Sequence, residues 1–133
     1  MLGDPSDPAP KTVLVVEDNE LNLKLLNDLL EYQGYTVIAT RLGEPALGLA
    51  RQYKPDLILM DIQLPDISGM EATQRLKSDE QTRDIPVIAV TAFAMSGDEA
   101  RILASGCNAY VSKPFNVAEF LQLVEHWTSE ARS

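Results

Sequence analysis

Five short apolar runs punctuate the chain, at residues 12–16, 35–39, 57–60, 87–90 and 109–111. They are rich in Val, Ile and Leu, too short and too uniformly apolar for amphipathic helices. Such runs read as strands buried on both faces, the pattern of a parallel sheet. Between and after them apolar positions recur at helical spacing, over residues 20–32, 44–53, 70–78, 97–105 and 117–128. In the first helix Asn22, Leu25, Leu26, Leu29 and Leu30 form the stripe expected to face the core. In the last helix Val117, Phe120, Leu121 and Val124 do so, with Leu123, Trp127 and the single His126 to one side.

Local signals support these boundaries. Ser68-Gly69-Met70-Glu71 and Ser96-Gly97-Asp98-Glu99 have the form of capping boxes, and Asn116-Val117-Ala118-Glu119 is the asparagine variant. Pro45 suits a first helical turn, and Gly34 and Gly106 follow helices as C′ residues. Five strands alternating with five helices predict an α/β domain with a doubly wound, five-stranded parallel sheet over residues 12–128. The expected strand order is 2-1-3-4-5, the flavodoxin-like order. Residues 1–11, with Pro5, Pro8 and Pro10, read as a disordered leader, and residues 129–133 as a polar tail.

Composition narrows the function classes. Hydrophobic residues make up 45% of the 133, enough for a core. Twenty acidic against eleven basic residues give a net charge of -9, which argues against nucleic acid and anionic membranes as partners. No apolar run reaches the roughly eighteen residues of a membrane span. The first residues lack the basic and apolar regions of a signal peptide. A single cysteine, Cys107, excludes an internal disulfide, and no Cys/His cluster offers zinc ligands. These features are those expected of a cytoplasmic protein.

In doubly wound sheets, sites form at the carboxyl edge. The residues that follow the strands are Glu17 and Asp18 after the first, Asp61 after the third, Thr91 after the fourth and Lys113 after the fifth, with Thr40 after the second the odd one out. In the expected order the first and third strands are neighbours, so Glu17, Asp18 and Asp61 crowd together. Like charges at such distances favour a bound cation, and oxygen donors alone suit Mg2+. Taken singly, Lys113 reads equally as a solvated charge and Thr91 as a turn cap. Together the five residues form a set equipped for phosphoryl transfer, with Asp61 able to serve as nucleophile. Mg2+, Thr91 and Lys113 would then each hold one phosphoryl oxygen. A phosphatase with an aspartyl nucleophile carries a second acid two residues on, where this chain has Gln63. A flavin carrier needs a phosphate-binding loop, where this chain has Glu17-Asp18-Asn19-Glu20.

The segments VLVVEDNELN, PDLILMDIQLPDISGME, IPVIAVTAFA and AYVSKPF, in that order and covering residues 11–128, resemble the receiver domain of bacterial two-component response regulators. The resemblance implies that Asp61 accepts a phosphoryl group from a phosphohistidine on a histidine kinase or a histidine phosphotransferase. It implies that Asp18, Asp61 and the backbone carbonyl of Gln63 hold Mg2+ directly, and Glu17 through a water. Thr91 and Lys113 would contact the phosphoryl group, and Thr91 and Tyr110 would form the conformational switch. Gln63 and Phe93 would border the path of the attacking water, with the bulk of Phe93 slowing loss of the group. Leu21 and Leu23, beside the pocket, are candidates for docking against the donor's helices. With only a few residues after the last helix, no output domain is expected. Signalling is therefore expected through contacts with a downstream protein, from a monomer or a weak, phosphorylation-dependent dimer. A receiver excised from a hybrid histidine kinase is the alternative.

Overall fold

The computed structural model describes residues 10–91, 98–112 and 116–129. Its strands are β1 (Thr12–Val16), β2 (Thr36–Thr40), β3 (Leu57–Asp61), β4 (Val87–Thr91) and β5 (Ala109–Ser112). Its helices are α1 (Glu20–Tyr32), α2 (Ala46–Tyr53), α3 (Gly69–Lys77), α4 (Asp98–Ala104) and α5 (Val117–Ser129), in strict alternation with the strands. Every strand pair is parallel and the order is β2-β1-β3-β4-β5, as expected. The expected leader and tail, apart from residues 10, 11 and 129, lie outside the described residues, as does Ser96 of the second capping box.

Apart from Thr12 at the start of β1 and Asp61 and Thr91 at the ends of β3 and β4, the three central strands are apolar because both of their faces are covered. Side chains alternate between two cores. Leu14, Val16, Ile58 and Met60 pack with Ala50 of α2, Leu76 of α3 and Ile102 of α4. Val13, Val15, Leu57 and Leu59 pack with Leu26 and Leu30 of α1 and with Phe120 and Val124 of α5. β2 and β5, at the sheet edges, are only partly buried. Cys107 is buried and unbridged. Among the described residues no helix is long and apolar enough to cross a membrane.

Helix ends follow the local chemistry. Ser68 accepts from the Glu71 amide at 3.0 Å, and Asn116 from the Glu119 amide at 3.0 Å. Asn19 caps α1 in the same way, accepting from Asn22 at 3.0 Å. The end of α1 is a Schellman motif: the amides of Gly34 (φ +95°) and Tyr35 bond the carbonyls of Glu31 and Leu30, each at 3.0 Å. This motif explains why β2 starts one residue later than the apolar run. The Tyr35 amide belongs to the helix end, and the ladder begins where Thr36 bonds the Lys11 carbonyl at 2.9 Å. α2 likewise starts at Ala46 rather than at residue 44, because the amides of Gly43 and Glu44 are held by the Asp66 carboxylate at 2.9 and 2.7 Å.

Two expected core residues face outward. Leu25 is 43% exposed and Val117 is also exposed. With Leu26 and Leu30 at the centre of the buried stripe, the helical repeat places Leu25 about a third of a turn away. Leu23, on the near side, packs against the α1/α5 core instead. Leu26→Ala is therefore expected to cost about 3 kcal/mol in denaturant unfolding. Leu25→Ala is expected to cost no more than about 0.5 kcal/mol. Equal losses would contradict this orientation of α1.

Candidate functional site

At the carboxyl edge of the sheet the apolar runs give way to Glu17, Asp61 and Thr91. All three are buried, Asp61 at 7% exposure. The register that pairs Val16 with Met60 and Asp61 with Val90 sets them at the ends of adjacent strands β1, β3 and β4. Asp61 and Thr91 are the last residues of their strands rather than the first beyond them. The Glu17 amide bonds the Thr40 carbonyl at 3.0 Å, so the β1/β2 ladder also runs past the apolar segment. Glu17 Oε2 accepts from the Asn19 amide at 3.1 Å, and Asp61 Oδ1 from the Gln63 amide at 3.2 Å. Backbone donors of this kind offset part of the cost of taking carboxylates out of water.

The start of α3 presses on the backbone of Asp61. A Cβ on Gly69 would lie 2.1 Å from the Asp61 carbonyl oxygen, so only glycine fits. The Gly69 amide bonds the Ile62 carbonyl at 2.8 Å, and the Thr73 hydroxyl donates to the Gly69 carbonyl at 2.8 Å. Further along the same loop, Asp66 grips Gly43 and Glu44. Desolvation pushes its carboxyl up, but backbone bonds from Gly43, Glu44 and Ile67 outweigh this and hold it below the usual carboxylate range.

Asp18 is more exposed than Glu17 or Asp61. Its side chain is 46% exposed and lies 3.7 Å from Nη2 of Arg41. Arg41 Nε donates to the Asp18 carbonyl at 3.0 Å, and Nη1 pairs with Glu20 at 3.1 Å. Among the described residues no three acidic, His or Cys side chains are grouped so as to hold a metal ion. The expected trio is two buried carboxylates and a third, more exposed one paired with a guanidinium. Gln63 is exposed on the loop after β3. Tyr110 is half-buried on β5 and its hydroxyl donates to Glu99 of α4. That bond, together with desolvation, holds the phenol above its ordinary pKa. Leu21 is 80% exposed, whereas Leu23 is half-buried against the core. Phe93 and Lys113 lie outside the described residues.

Arg41 is the residue that reading the strand ends overlooks. The turn that carries it is closed by Thr40, whose hydroxyl accepts from the Leu42 amide at 3.2 Å. The available signal is a basic side chain directly after the second strand, on the same edge as the acids. As for a cofactor, the donors are all oxygen, and two of the carboxylates are buried at adjacent strand ends with Asp18 next in sequence. This chemistry fits a hard divalent cation that retains several waters.

A parallel doubly wound sheet with carboxylates buried at the ends of β1 and β3 and a hydroxyl at the end of β4 defines a receiver-type domain. Residues 13–125 match the response regulator receiver domain, and the chain belongs to that family. It is 58% identical over 122 residues to the polar-differentiation response regulator DivK of Brucella anthropi, covering 92% of this chain and 99% of that one. The DivK of Brucella ovis is 59% identical over 121 residues, covering 91% and 98%. Among solved structures, the receiver domain of a sensor histidine kinase from Pseudomonas aeruginosa superposes with a TM-score of 0.85 at 36% identity, covering 92% of this chain and all of that one. That structure is described with a magnesium ion coordinated in its active-site cleft. A putative response regulator from Chloroflexus aurantiacus gives a TM-score of 0.86 at 28% identity, covering 91% and 99%.

Two glycines test the packing behind Asp61. Gly69→Ala is expected to lower stability by about 1–3 kcal/mol through overpacking against backbone. Gly48→Ala, on α2 with nothing within 4 Å of its Cβ position, is expected to raise stability by about 0.5–1 kcal/mol. Thermal unfolding of both variants checks the contrast, and a neutral Gly69→Ala would refute the close approach.

Proposed function

We propose that this receiver domain is a phosphoryl acceptor and signalling switch of a phosphorelay, with Asp61 as the acceptor. The observation that carries the reading is the burial of the Asp61 carboxylate at the end of the central strand, beside Glu17 and Thr91. In the transfer, a carboxylate oxygen of Asp61 forms a bond to phosphorus as the bond from phosphorus to the ring nitrogen of a phosphohistidine breaks. The imidazole leaves with the electron pair and takes up a proton. Asp18, Asp61 and the Gln63 carbonyl would hold Mg2+, with Glu17 acting through a water. When bound, the ion neutralises charge on the phosphoryl oxygens. Thr91 and Lys113 supply a hydroxyl and an ammonium to the same oxygens.

The reading extends to partners. A histidine kinase or histidine phosphotransferase is the donor, and a downstream protein contacted by the α4–β5–α5 side receives the signal. Thr91 and Tyr110 form the switch, a two-state element biased by contacts that exist only in the phosphorylated form. Kinship with the DivK proteins, named for polar differentiation, supports a role in cell polarity and division.

Mass measurement after treatment with acetyl phosphate and Mg2+ tests the chemistry. The wild type is expected to gain one phosphoryl group and Asp61→Asn none. Labelling of both, or of neither, rejects Asp61 as the acceptor. Docking has its own test at Leu21. Leu21→Ser is expected to slow transfer from the cognate kinase by about tenfold while labelling by acetyl phosphate proceeds unchanged. Equal slowing of both routes would show that Leu21 serves the pocket rather than the partner.

A further inference from the structure

We propose that Arg41 is a positioning residue that competes with the divalent cation for Asp18. Metal uptake in this chain is then an exchange of a guanidinium for a metal ion. The inference rests on the reading of the carboxyl edge as the cation site.

Three contacts carry it. Arg41 Nη2 lies 3.7 Å from Asp18 Oδ1, so the carboxylate that would ligate the cation is already paired with a positive charge. Nε holds the Asp18 carbonyl at 3.0 Å and Nη1 holds Glu20 Oε2 at 3.1 Å. These two contacts do not involve the Asp18 carboxylate. Arg41 therefore keeps its place at the rim after the carboxylate leaves, and its positive charge still opposes a second cation close by. The turn that aims it is closed locally by the Thr40 hydroxyl on the Leu42 amide. A guanidinium is suited to this role because its planar fork can grip a carbonyl and a carboxylate at once. The side chains of Arg41 and Asp18 are about half exposed, at 50% and 46%. Solvent screens such pairs, so the competition tunes affinity rather than abolishing binding.

The experiment is Mg2+ titration by calorimetry on the full chain, comparing wild type, Arg41→Ala, Arg41→Gln, Arg41→Lys, Asp18→Asn and the Asp18→Asn/Arg41→Ala double variant. Thermal unfolding without cation serves as the control for folding. Arg41→Ala and Arg41→Gln are expected to bind Mg2+ about three- to tenfold more tightly than wild type. Arg41→Lys, which keeps the charge and loses the fork, is expected to fall between them and wild type. In the Asp18→Asn background the gain from Arg41→Ala is expected to shrink below about twofold. Unchanged or weaker binding by both neutral variants overturns the competition while leaving the cation site in place. An undiminished gain in the Asp18→Asn background also overturns it, because the effect would then be one of field alone. If the wild type takes up no Mg2+, the reading of the pocket fails and the inference fails with it.

Discussion

The structure turns on the placement of two negative charges where water scarcely reaches. Glu17 and Asp61 are buried at the ends of adjacent strands, and a carboxylate in such a place is costly unless donors or a cation meet it. The fold meets part of this demand with its own backbone, through the Asn19 and Gln63 amides. It meets another part by rigidity. Gly69 lets the start of α3 lie directly on the Asp61 carbonyl, so β3 ends against a closely packed surface. The apolar length of β1, β3 and β4 serves the same end: strands covered on both faces deliver their last polar residues into a site whose position the cores dictate.

Around this edge the loops are linked in series. Arg41, just after β2, reaches the β1–α1 loop at Asp18 and Glu20. The residues that follow it, Gly43 and Glu44, give their amides to Asp66 in the β3–α3 loop. Arg75 of α3 closes the chain of contacts by pairing with both Glu44 and Glu71. Each exposed ion pair contributes little by itself, because solvent screens it. Their combined effect is geometric. The loop that carries Asp18 and the loop that carries Gln63 are both tied to the segment after β2, the one segment in which reading the strand ends finds no chemistry.

What was legible in the sequence was whatever depends on period and on local hydrogen bonding. Uniform apolar runs announced strands covered on both faces, and Ser68 and Asn116 announced helix starts through the short-range bonds they make. The convergence of Glu17, Asp61 and Thr91 followed from strand order alone. The misread positions are those settled by geometry that periodicity does not encode. Tyr35 looks like a strand residue and is bound as the end of α1, because the Schellman motif claims its amide. Leu25 shares the helical spacing of its neighbours, yet the roll of α1 brings Leu23 to the core in its stead. Asp18 pairs with Arg41, twenty-three residues away. Spacing of the acids among themselves carries no information about a basic partner in another loop.

The same economy of distance bears on the proposed switch. Ala89 pairs with Tyr110 and Thr91 with Ser112, so Thr91 stands two residues beyond the partner of Tyr110 on the neighbouring strand. Side chains two apart share one face of a sheet, so Thr91 and Tyr110 both address the α2–α3–α4 side. Tyr110 packs at the margin of that core while its hydroxyl is held by Glu99 at the surface. In that proposal a signal from the end of β4 to the surface would need to cross one strand only. The bond from Tyr110 to Glu99 lies at the surface, where water competes for both partners, so it holds the ring only weakly. Charge-assisted contacts to a phosphoryl group are stronger than neutral ones. A weak holding contact suits a two-state element, because a modest gain elsewhere can then make the other state the major one.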